Sequence, residues 1–386
     1  MVLDCAYMHS YNVRSNNINI LRAVKKTGNE SRVEKLIMKT KVIKLNPNFP
    51  EERLINEAAE VLKNGGLVVF PTETVYGIAA NIFNKDTIDR LYEIKKRPKD
   101  KPFSVHIADF DSLKQLGVIL SKDAERVAKR FWPGPLTLVA LNDKKEKIGL
   151  RMPDNRIAIS LIKKAGVSVV APSANLSGNK PPVSIGEVLL EMDGHVDMIL
   201  DGGRARIGIE STVMDVTEKP FKILRQGAIP AKEALTDYVL LFVCTGNSCR
   251  SVMAKGLMEK FVNEANLSEK VHIDSAGTST FAGIGAAPNT ISVMKEEGID
   301  VSRHISKNIN KDILKRSDIV FVMEKFHKDV IINLMPEIKD RVRLLKEGQD
   351  IPDPIGRPLE EYKNILGVIK EEVENIFLEI FKEEKK

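Results

Sequence analysis

Apolar positions along this chain fall into two successive rhythms of helix and strand. In the first, VIKL at 42–45 predicts a short strand, EERLINEAAEVLKNGG at 51–66 an amphipathic helix ended by glycine, and LVVFPT at 67–72 a buried strand stopped by proline. Further strand-like runs stand at Phe103–Ile107, Leu136–Leu141, Ile157–Ile159, Val167–Ala171 and Met198–Leu200, separated by helical stretches and Pro/Gly loops. The pattern predicts an α/β domain with a mixed, twisted sheet. The second rhythm starts at Tyr238–Val243, a continuous apolar strand followed directly by a polar loop and a helix. Helix and strand then alternate through SVMAKGLMEKFVNEA, VHIDSAGT, NTISVMKEEGI, ILKRSDIVFVM, a strand at Val342–Leu344 and a C-terminal helix from Leu359. That alternation predicts a doubly wound parallel sheet.

A first domain is therefore expected over 38–232, a linker over 233–237 and a second domain over 238–386, with no internal repeat relating the halves. Residues 1–37 hold no sustained helix or strand period, are rich in Asn and poor in large apolar groups. They predict a disordered extension, with Met38 as an alternative start.

Composition adds little to the 386-residue picture: 43% hydrophobic and 29% charged residues suit a globular chain. No run approaches the roughly 18 apolar residues of a membrane span, so no membrane partner is expected. The opening MVLDCAYMHSYNVRSNN carries an acid and polar groups where a signal peptide has a basic start and an apolar stretch, which sets the cytoplasm as the expected compartment. A net charge of +6 suits an anionic partner such as nucleotide, tRNA or phosphoprotein, although mixed-sign runs such as EIKKRPKDK also read as solvated helix faces. Three cysteines, Cys5, Cys244 and Cys249, are too few for a disulfide framework and include no paired CxxC, so no resident metal is expected and a reactive thiol is the reading to test.

The segment YVLLFVCTGNSCRSVMA puts Cys244 and Arg250 on one loop between a buried strand and a helix. Backbone N–H groups of a loop feeding a helix N-terminus converge on an anion, and the same field favours a thiolate. Cys244 is the expected nucleophile. The planar fork of Arg250 can hold two phosphoryl oxygens and follow them into the transition state. Thr245, Gly246, Asn247, Ser248, Cys249 and Ser251 complete the phosphate loop, Asn247 and Ser251 tying its shape and Ser251 standing near the sulfur.

This C-x5-R-S signature after an apolar strand resembles the low-molecular-weight protein tyrosine phosphatase family. DSAGT at 274–278, GIDVSRHIS at 298–306, SDIVFVM at 317–323 and DIPDP at 350–354 follow in family order, so the likeness covers roughly residues 238–386. The resemblance implies that Asp353, the aspartate of the D-P motif, is the general acid, ahead of Asp350. Ser248 stands where tyrosine phosphatases of the family carry an aliphatic residue, and Ile355 where they carry an aromatic. In this the loop is more similar to bacterial protein arginine phosphatases, which implies phosphoarginine over phosphotyrosine. Cys249 could protect Cys244 through a disulfide or act as a small filler. No cysteine follows it to relay electrons, as arsenate reductases of this fold require.

In the first half, LVVFPTETVYGIAANIFN places Thr72, Glu73 and Thr74 at the end of a buried strand, where ligands of α/β sheets bind. IKKRPKDKPFSVHI clusters Lys95, Arg97, Lys101 and His106 in and after a helix end, and RFWPGPLTLV, APSANLSG and IGIESTVMD follow. Trp132 and His195 read as core packing and ordinary surface. No GxxxxGK[ST] is present, so a nucleotide is held without a Walker loop.

The ordered set resembles the YrdC-like family of threonylcarbamoyl-AMP synthases over roughly residues 45–232. The resemblance implies a reaction of L-threonine, bicarbonate and ATP, the ATP entering as a substrate with Mg2+ and no cofactor being tightly bound, with the product passed to tRNA-modification machinery. Lys95, Arg97, Lys101 and Arg225 would then neutralise the triphosphate, and Ser173 and Asn175 would offer neutral hydrogen bonds to the nucleotide. Thr72 or Thr74, His106, Arg151 and Ser211 are where the family would hold threonine, Arg151 facing its carboxylate. The expectation is a bifunctional enzyme, a nucleotidyltransferase joined to a phosphoprotein phosphatase. The alternative is an RNA- or nucleotide-binding module attached to an active tyrosine phosphatase. Diphosphate release that depends on threonine separates the two.

Overall fold

The computed structural model describes residues 40–281 and 283–381. The predicted extension at 1–37, with Cys5, and the alternative start Met38 lie outside the described residues. The chain divides into two compact units, one of the residues up to Ser121 with Trp132–Ala231, the other of Lys122–Phe131 with the residues from Lys232 on.

The first unit is built on ten strands: β1 (Lys41–Lys44), β2 (Val68–Phe70), β3 (Gly77–Asn81), β4 (Val105–His106), β5 (Leu136–Leu141), β6 (Lys147–Arg151), β7 (Val169–Val170), β8 (Met198–Asp201), β9 (Thr212–Asp215) and β10 (Lys222–Arg225). They form one sheet in the order β1-β8-β2-β3-β7-β4-β6-β5-β9-β10. It is mixed, since β1, β8 and β2 run parallel while β2, β3, β7 and β4 alternate in direction. The helices Glu52–Lys63 and Arg156–Ala165 bury Ile55, Ala59, Leu62, Ala158 and Leu161 in one cluster with Val68, Phe70 and Met198 of the sheet.

The expected strand at Ile157–Ile159 is instead the first turn of the helix Arg156–Ala165. Asn155 caps that helix by accepting from the Ala158 amide, and Ile157, Ala158, Leu161, Ile162 and Ala165 are buried at helical spacing. Two β-branched residues flanking an alanine in a short apolar run read as a strand only while the longer period is left out of view.

The second unit carries β11 (Tyr238–Cys244), β12 (Val271–Gly277), β13 (Ile319–Val322) and β14 (Val342–Leu344) in the all-parallel order β12-β11-β13-β14. Alternation along β11 sends Leu240, Phe242 and Cys244 to one face and Leu241 and Val243 to the other. The first face packs on the helices Arg250–Glu264, Pro288–Glu296 and Leu359–Phe381, the second on Lys311–Arg316 and Lys325–Leu334. Both faces are covered, which is why β11 reads as an unbroken apolar run. Arg130 of the helix Lys122–Phe131 is buried in this unit, paired with Asp318 and donating to the Thr236 carbonyl at 2.8 Å. No helix of the described residues is long and apolar enough to cross a membrane.

Candidate active sites

A cavity of about 410 Å³ in the first unit is lined by alternate residues of neighbouring strands. Thr137 and Val139 come from β5, Lys147, Gly149 and Arg151 from β6, and Val213 from β9, with Ser211 just before it. The period of two puts each set on one face of the sheet. His106 and Arg151 are register partners across β4 and β6, so a histidine and an arginine stand side by side in that wall.

Arg151 is neutralised from within. Its Nη2 donates to Glu73 Oε1 at 2.8 Å and to Thr74 Oγ1 at 2.7 Å, and the other Glu73 oxygen accepts from the Asp154 amide at 3.0 Å. Both side chains are buried, and the extra hydrogen bonds on the carboxylate are what make such a pair tolerable away from water. The Thr72 hydroxyl donates to the Val75 carbonyl at 2.6 Å and accepts from the Thr74 and Val75 amides, which closes the PTET turn on itself.

His106 is buried, and its Nδ1 has no hydrogen-bond partner among the described residues. Burial first, and the Arg151 charge second, push its pKa from 6.5 down to about 3. The ring is therefore neutral near pH 7. The unfolded chain takes up this proton near pH 6.5 while the folded chain does not, so the contribution of His106 to stability is complete above pH 6.5 and is lost as pH falls towards 3. Between pH 6.5 and 5 that loss is about 2 kcal/mol. His106→Gln is expected to flatten the fall in melting temperature of the first unit between pH 7 and 5; a slope equal to that of the wild type would contradict the assignment.

Arg97 and Arg225 reach the same cavity. Arg97 Nε donates to the Lys101 carbonyl at 2.8 Å and Nη2 to that of Pro102 at 3.2 Å, and its guanidinium lies 5.2 Å from the Phe103 ring centroid. Arg225 Nη2 donates to the Ser211 carbonyl at 2.8 Å, its Nη1 to Glu210, and the Ser211 hydroxyl meets that of Thr137 at 2.8 Å. Lys95 behaves differently. Its buried Nζ donates to the carbonyls of Ser173 and Asn175 and to Asn175 Oδ1, and burial, with the charge of Arg97, pulls its pKa down to about 8.

In the second unit the loop after β11 turns through Asn247, whose φ of +51° is left-handed, and enters the helix at Arg250. Cys244 is buried with its Sγ 3.0 Å from Ser251 Oγ. Asn247 fastens the loop from three sides: Nδ2 donates to Ser251 and Ser275 at 3.0 Å each, Oδ1 accepts from the Lys307 amide, and its carbonyl lies 2.7 Å from His304 Nε2. A Cβ on Gly277 would stand 2.5 Å from the Thr245 carbonyl, so the glycine of the DSAGT motif lets the loop backbone approach β12.

Arg250 is buried, and its fork is shared. Nη2 donates to Asp353 Oδ2 at 2.6 Å, and Nη1 to the Ile351 carbonyl at 2.7 Å and to Glu324. The Thr245 hydroxyl lies 2.9 Å from Nε2 of the buried His327, whose pKa is lowered chiefly by burial. Burial likewise pushes the Cys249 thiol up; its Sγ lies 3.6 Å from Ser248 Oγ and 3.7 Å from the Tyr362 hydroxyl. A buried thiol against a loop that opens into a helix, with an arginine and a carboxylate on the same mouth, is the equipment for covalent phosphoryl transfer.

Comparison with known proteins places each half of the chain in a family. A family model described as Telomere recombination, Sua5_yciO_yrdC, matches residues 60–227, and one described as Low molecular weight phosphotyrosine protein phosphatase matches residues 239–386. The chain joins a YrdC-like domain to a low-molecular-weight phosphatase domain. The threonylcarbamoyl-AMP synthase of Pyrococcus abyssi is 43% identical over 192 residues, which are 47% of this chain and 56% of that protein. The chain thus spans little more than half the length of that relative. A Mycobacterium tuberculosis relative that carries the synthase name provisionally is 34% identical over 47% of this chain and 88% of its own length. A solved low molecular weight protein tyrosine phosphatase from T. tengcongensis is 33% identical over 37% of this chain and 99% of its own, with a TM-score of 0.35.

In the YrdC-like domain the fold brings Thr72, Arg97, His106, Arg151, Ser173, Ser211 and Arg225 to one cavity. Thr74, Lys95, Lys101 and Asn175 do not line it. Lys101 is exposed, and Thr74 supports Arg151. Lys95 and Asn175 hold the loop behind Ser173, the Asn175 amide donating to the carbonyls of Leu176 and Asn179 at 2.9 and 2.7 Å. Arg151, expected to face a carboxylate ligand, already faces Glu73. Glu73, noted at the strand end beside Thr72 and Thr74, is spent on Arg151, and Thr137 and Lys147 were missed; the strand alternation that puts Thr137 and Lys147 on the cavity face was visible for β5 but not for the half-exposed β6.

In the phosphatase domain Cys244, Ser251 and Asn247 form one hydrogen-bonded group and Thr245, Arg250 and Asp353 another, while Asp350 turns away to accept from the Lys325 amide at 2.8 Å. Glu324, His304 and His327 were missed. Glu324 directly follows SDIVFVM at the carboxyl end of β13, a position where parallel sheets bind ligands, and that was the available signal.

Proposed function

We propose that this chain carries two activities. The first half makes threonylcarbamoyl-AMP from L-threonine, bicarbonate and ATP for tRNA threonylcarbamoyladenosine formation. Bicarbonate carbon and threonine nitrogen join with loss of water; an oxygen of the resulting carbamate attacks the α-phosphorus, and the bond to the β-phosphate breaks to release diphosphate. The carrying observation is one cavity in which Arg97 and Arg225 offer charge to a polyphosphate while Thr137, Ser173 and Ser211 offer neutral hydroxyls. Mg2+ would arrive on the triphosphate as part of the substrate. Purified full-length chain supplied with ATP, Mg2+ and bicarbonate is the test. Diphosphate release that requires L-threonine is the expected result; release that ignores threonine, or none, would leave a nucleotide- or RNA-binding module.

The second half hydrolyses phosphoproteins, phosphoarginine in preference to phosphotyrosine. Cys244 Sγ attacks phosphorus, the S–P bond forms and the bond to the leaving nitrogen or oxygen breaks, while Asp353 supplies its proton. Asp353 then takes a proton from the water that attacks the phosphocysteine, and phosphate leaves. The pairing of Arg250 with Asp353 at 2.6 Å, with Arg250 entering the helix that follows the loop of the buried Cys244, supports placing phosphate grip and proton transfer at one site. The half-buried Ser248 hydroxyl and the aliphatic Ile355 suit a polar guanidino group better than a phenyl ring.

A further inference from the structure

Two carboxylates share one buried cation at the mouth of the phosphate loop. The side chain of Arg250 is 1% exposed, and those of Glu324 and Asp353 are 29% and 34% exposed. They come from different elements, Glu324 from the end of β13 and Asp353 from the loop before the helix Leu359–Phe381, and they divide the fork between Nη1 and Nη2. A phosphoryl group gripped by the same fork competes with both. Asp353 is the general acid of the proposed reaction. Glu324 has no such role and is left beside a phosphoryl dianion, where like charges disfavour each other.

Among the described residues Glu324 pairs with no cation other than Arg250 within hydrogen-bond distance. His327 is the nearest imidazole, its Nε2 4.0 Å from Glu324 Oε1, but that nitrogen already meets the Thr245 hydroxyl and burial keeps the ring neutral. The ammonium of Lys325, next in sequence, forms no ion pair with Glu324, and its amide donates to Asp350. A substrate that carries a planar cation directly on its phosphoryl group would supply the missing charge. The guanidinium of phosphoarginine does so, with N–H donors in a fork that matches a carboxylate; a phosphotyrosine ring does not, and leaves Glu324 unpaired.

We propose that Glu324 is the specificity-determining residue that receives the substrate guanidinium once phosphate has displaced it from Arg250. This rests on the phosphoarginine reading above. Glu324 both rewards one substrate and penalises the other, since an unpaired carboxylate beside the phosphoryl group disfavours phosphotyrosine.

The test uses the full chain with two peptides of one sequence, one carrying phosphoarginine and one phosphotyrosine, and compares kcat/KM in wild type, Glu324→Gln and Glu324→Asp. The ratio of arginine to tyrosine turnover is expected to fall about 10- to 100-fold in Glu324→Gln, the effect of losing a hydrogen bond to a charged group, and to recover in part in Glu324→Asp. A ratio unchanged within about twofold, whether both rates hold or both fall, overturns the proposal and makes Glu324 a support for Arg250 alone. Wild-type preference for phosphotyrosine would overturn the phosphoarginine reading itself, and this inference with it. Failure of the inference alone is therefore seen as a wild type that prefers phosphoarginine and a Gln variant that prefers it as strongly.

Discussion

Replacing Cys244 with serine is expected to reduce phosphopeptide hydrolysis by about 10⁴-fold or more. A serine hydroxyl is a poor nucleophile without a base, and the neighbouring groups cannot supply one. Ser251, 3.0 Å from the sulfur, has no proton-accepting strength of its own. His304 faces the Asn247 carbonyl and His327 the Thr245 hydroxyl, and burial lowers both pKa values, so these imidazoles brace the loop and do not deprotonate the residue at 244. The substitution is nearly isosteric, and the hydroxyl keeps Ser251 as a hydrogen-bond partner, so the loss belongs to chemistry and not to folding. Single-turnover assays with a phosphopeptide, alongside binding of inorganic phosphate, separate the two. Residual activity above about 1% with phosphate binding intact would place the nucleophile elsewhere.

The second large effect is expected in the YrdC-like domain. Arg97→Ala should lower threonine-dependent diphosphate release by about 10²- to 10³-fold, the scale of removing one group that stabilises developing charge. Arg97 lines the cavity and is held there by the carbonyls of Lys101 and Pro102 and by the Phe103 ring, so its position is fixed by protein groups alone. Lys101 shares the segment but is exposed and lies outside the cavity wall, and Lys101→Ala is the comparison. A drop mainly in kcat for Arg97→Ala and a smaller effect for Lys101→Ala fit a charge that acts on the transition state. Equal small effects in the two variants would mean that the basic residues of this segment serve general attraction only.

Much of this was readable from short, dense motifs. The strand β11 and the loop through Arg250 announce themselves because a buried parallel strand must be apolar throughout and a loop that turns towards a helix must be polar and small. The helix Arg156–Ala165 was misread at Ile157–Ile159 because a three-residue window with two isoleucines favours a strand, while the burial at 157, 158, 161, 162 and 165 needs a longer window to appear. Strands β3, β6, β9 and β10 escaped because their alternation is short or interrupted, and sheet neighbours decide such segments more than propensity does.

The residue types at the two sites were likewise legible, but their partners were not. Lys95 and Arg97 stand two apart in one basic run, yet Lys95 is turned inward onto the carbonyls of Ser173 and Asn175 and Arg97 lines the cavity. Arg151 and Glu73 are 78 positions apart and pair because β6 carries the arginine beside the PTET turn. Glu324 and Asp353 meet on Arg250 only because the end of β13 and a later loop converge over the same helix N-terminus. The sequence by itself determined two α/β domains, the nucleophile loop and the stock of charged and hydroxyl groups, because those depend on local period and local turn chemistry. Which charge faces a ligand and which is spent on another protein group was decided only by tertiary structure, because a buried ion is settled by whatever opposite charge the fold brings within hydrogen-bond reach.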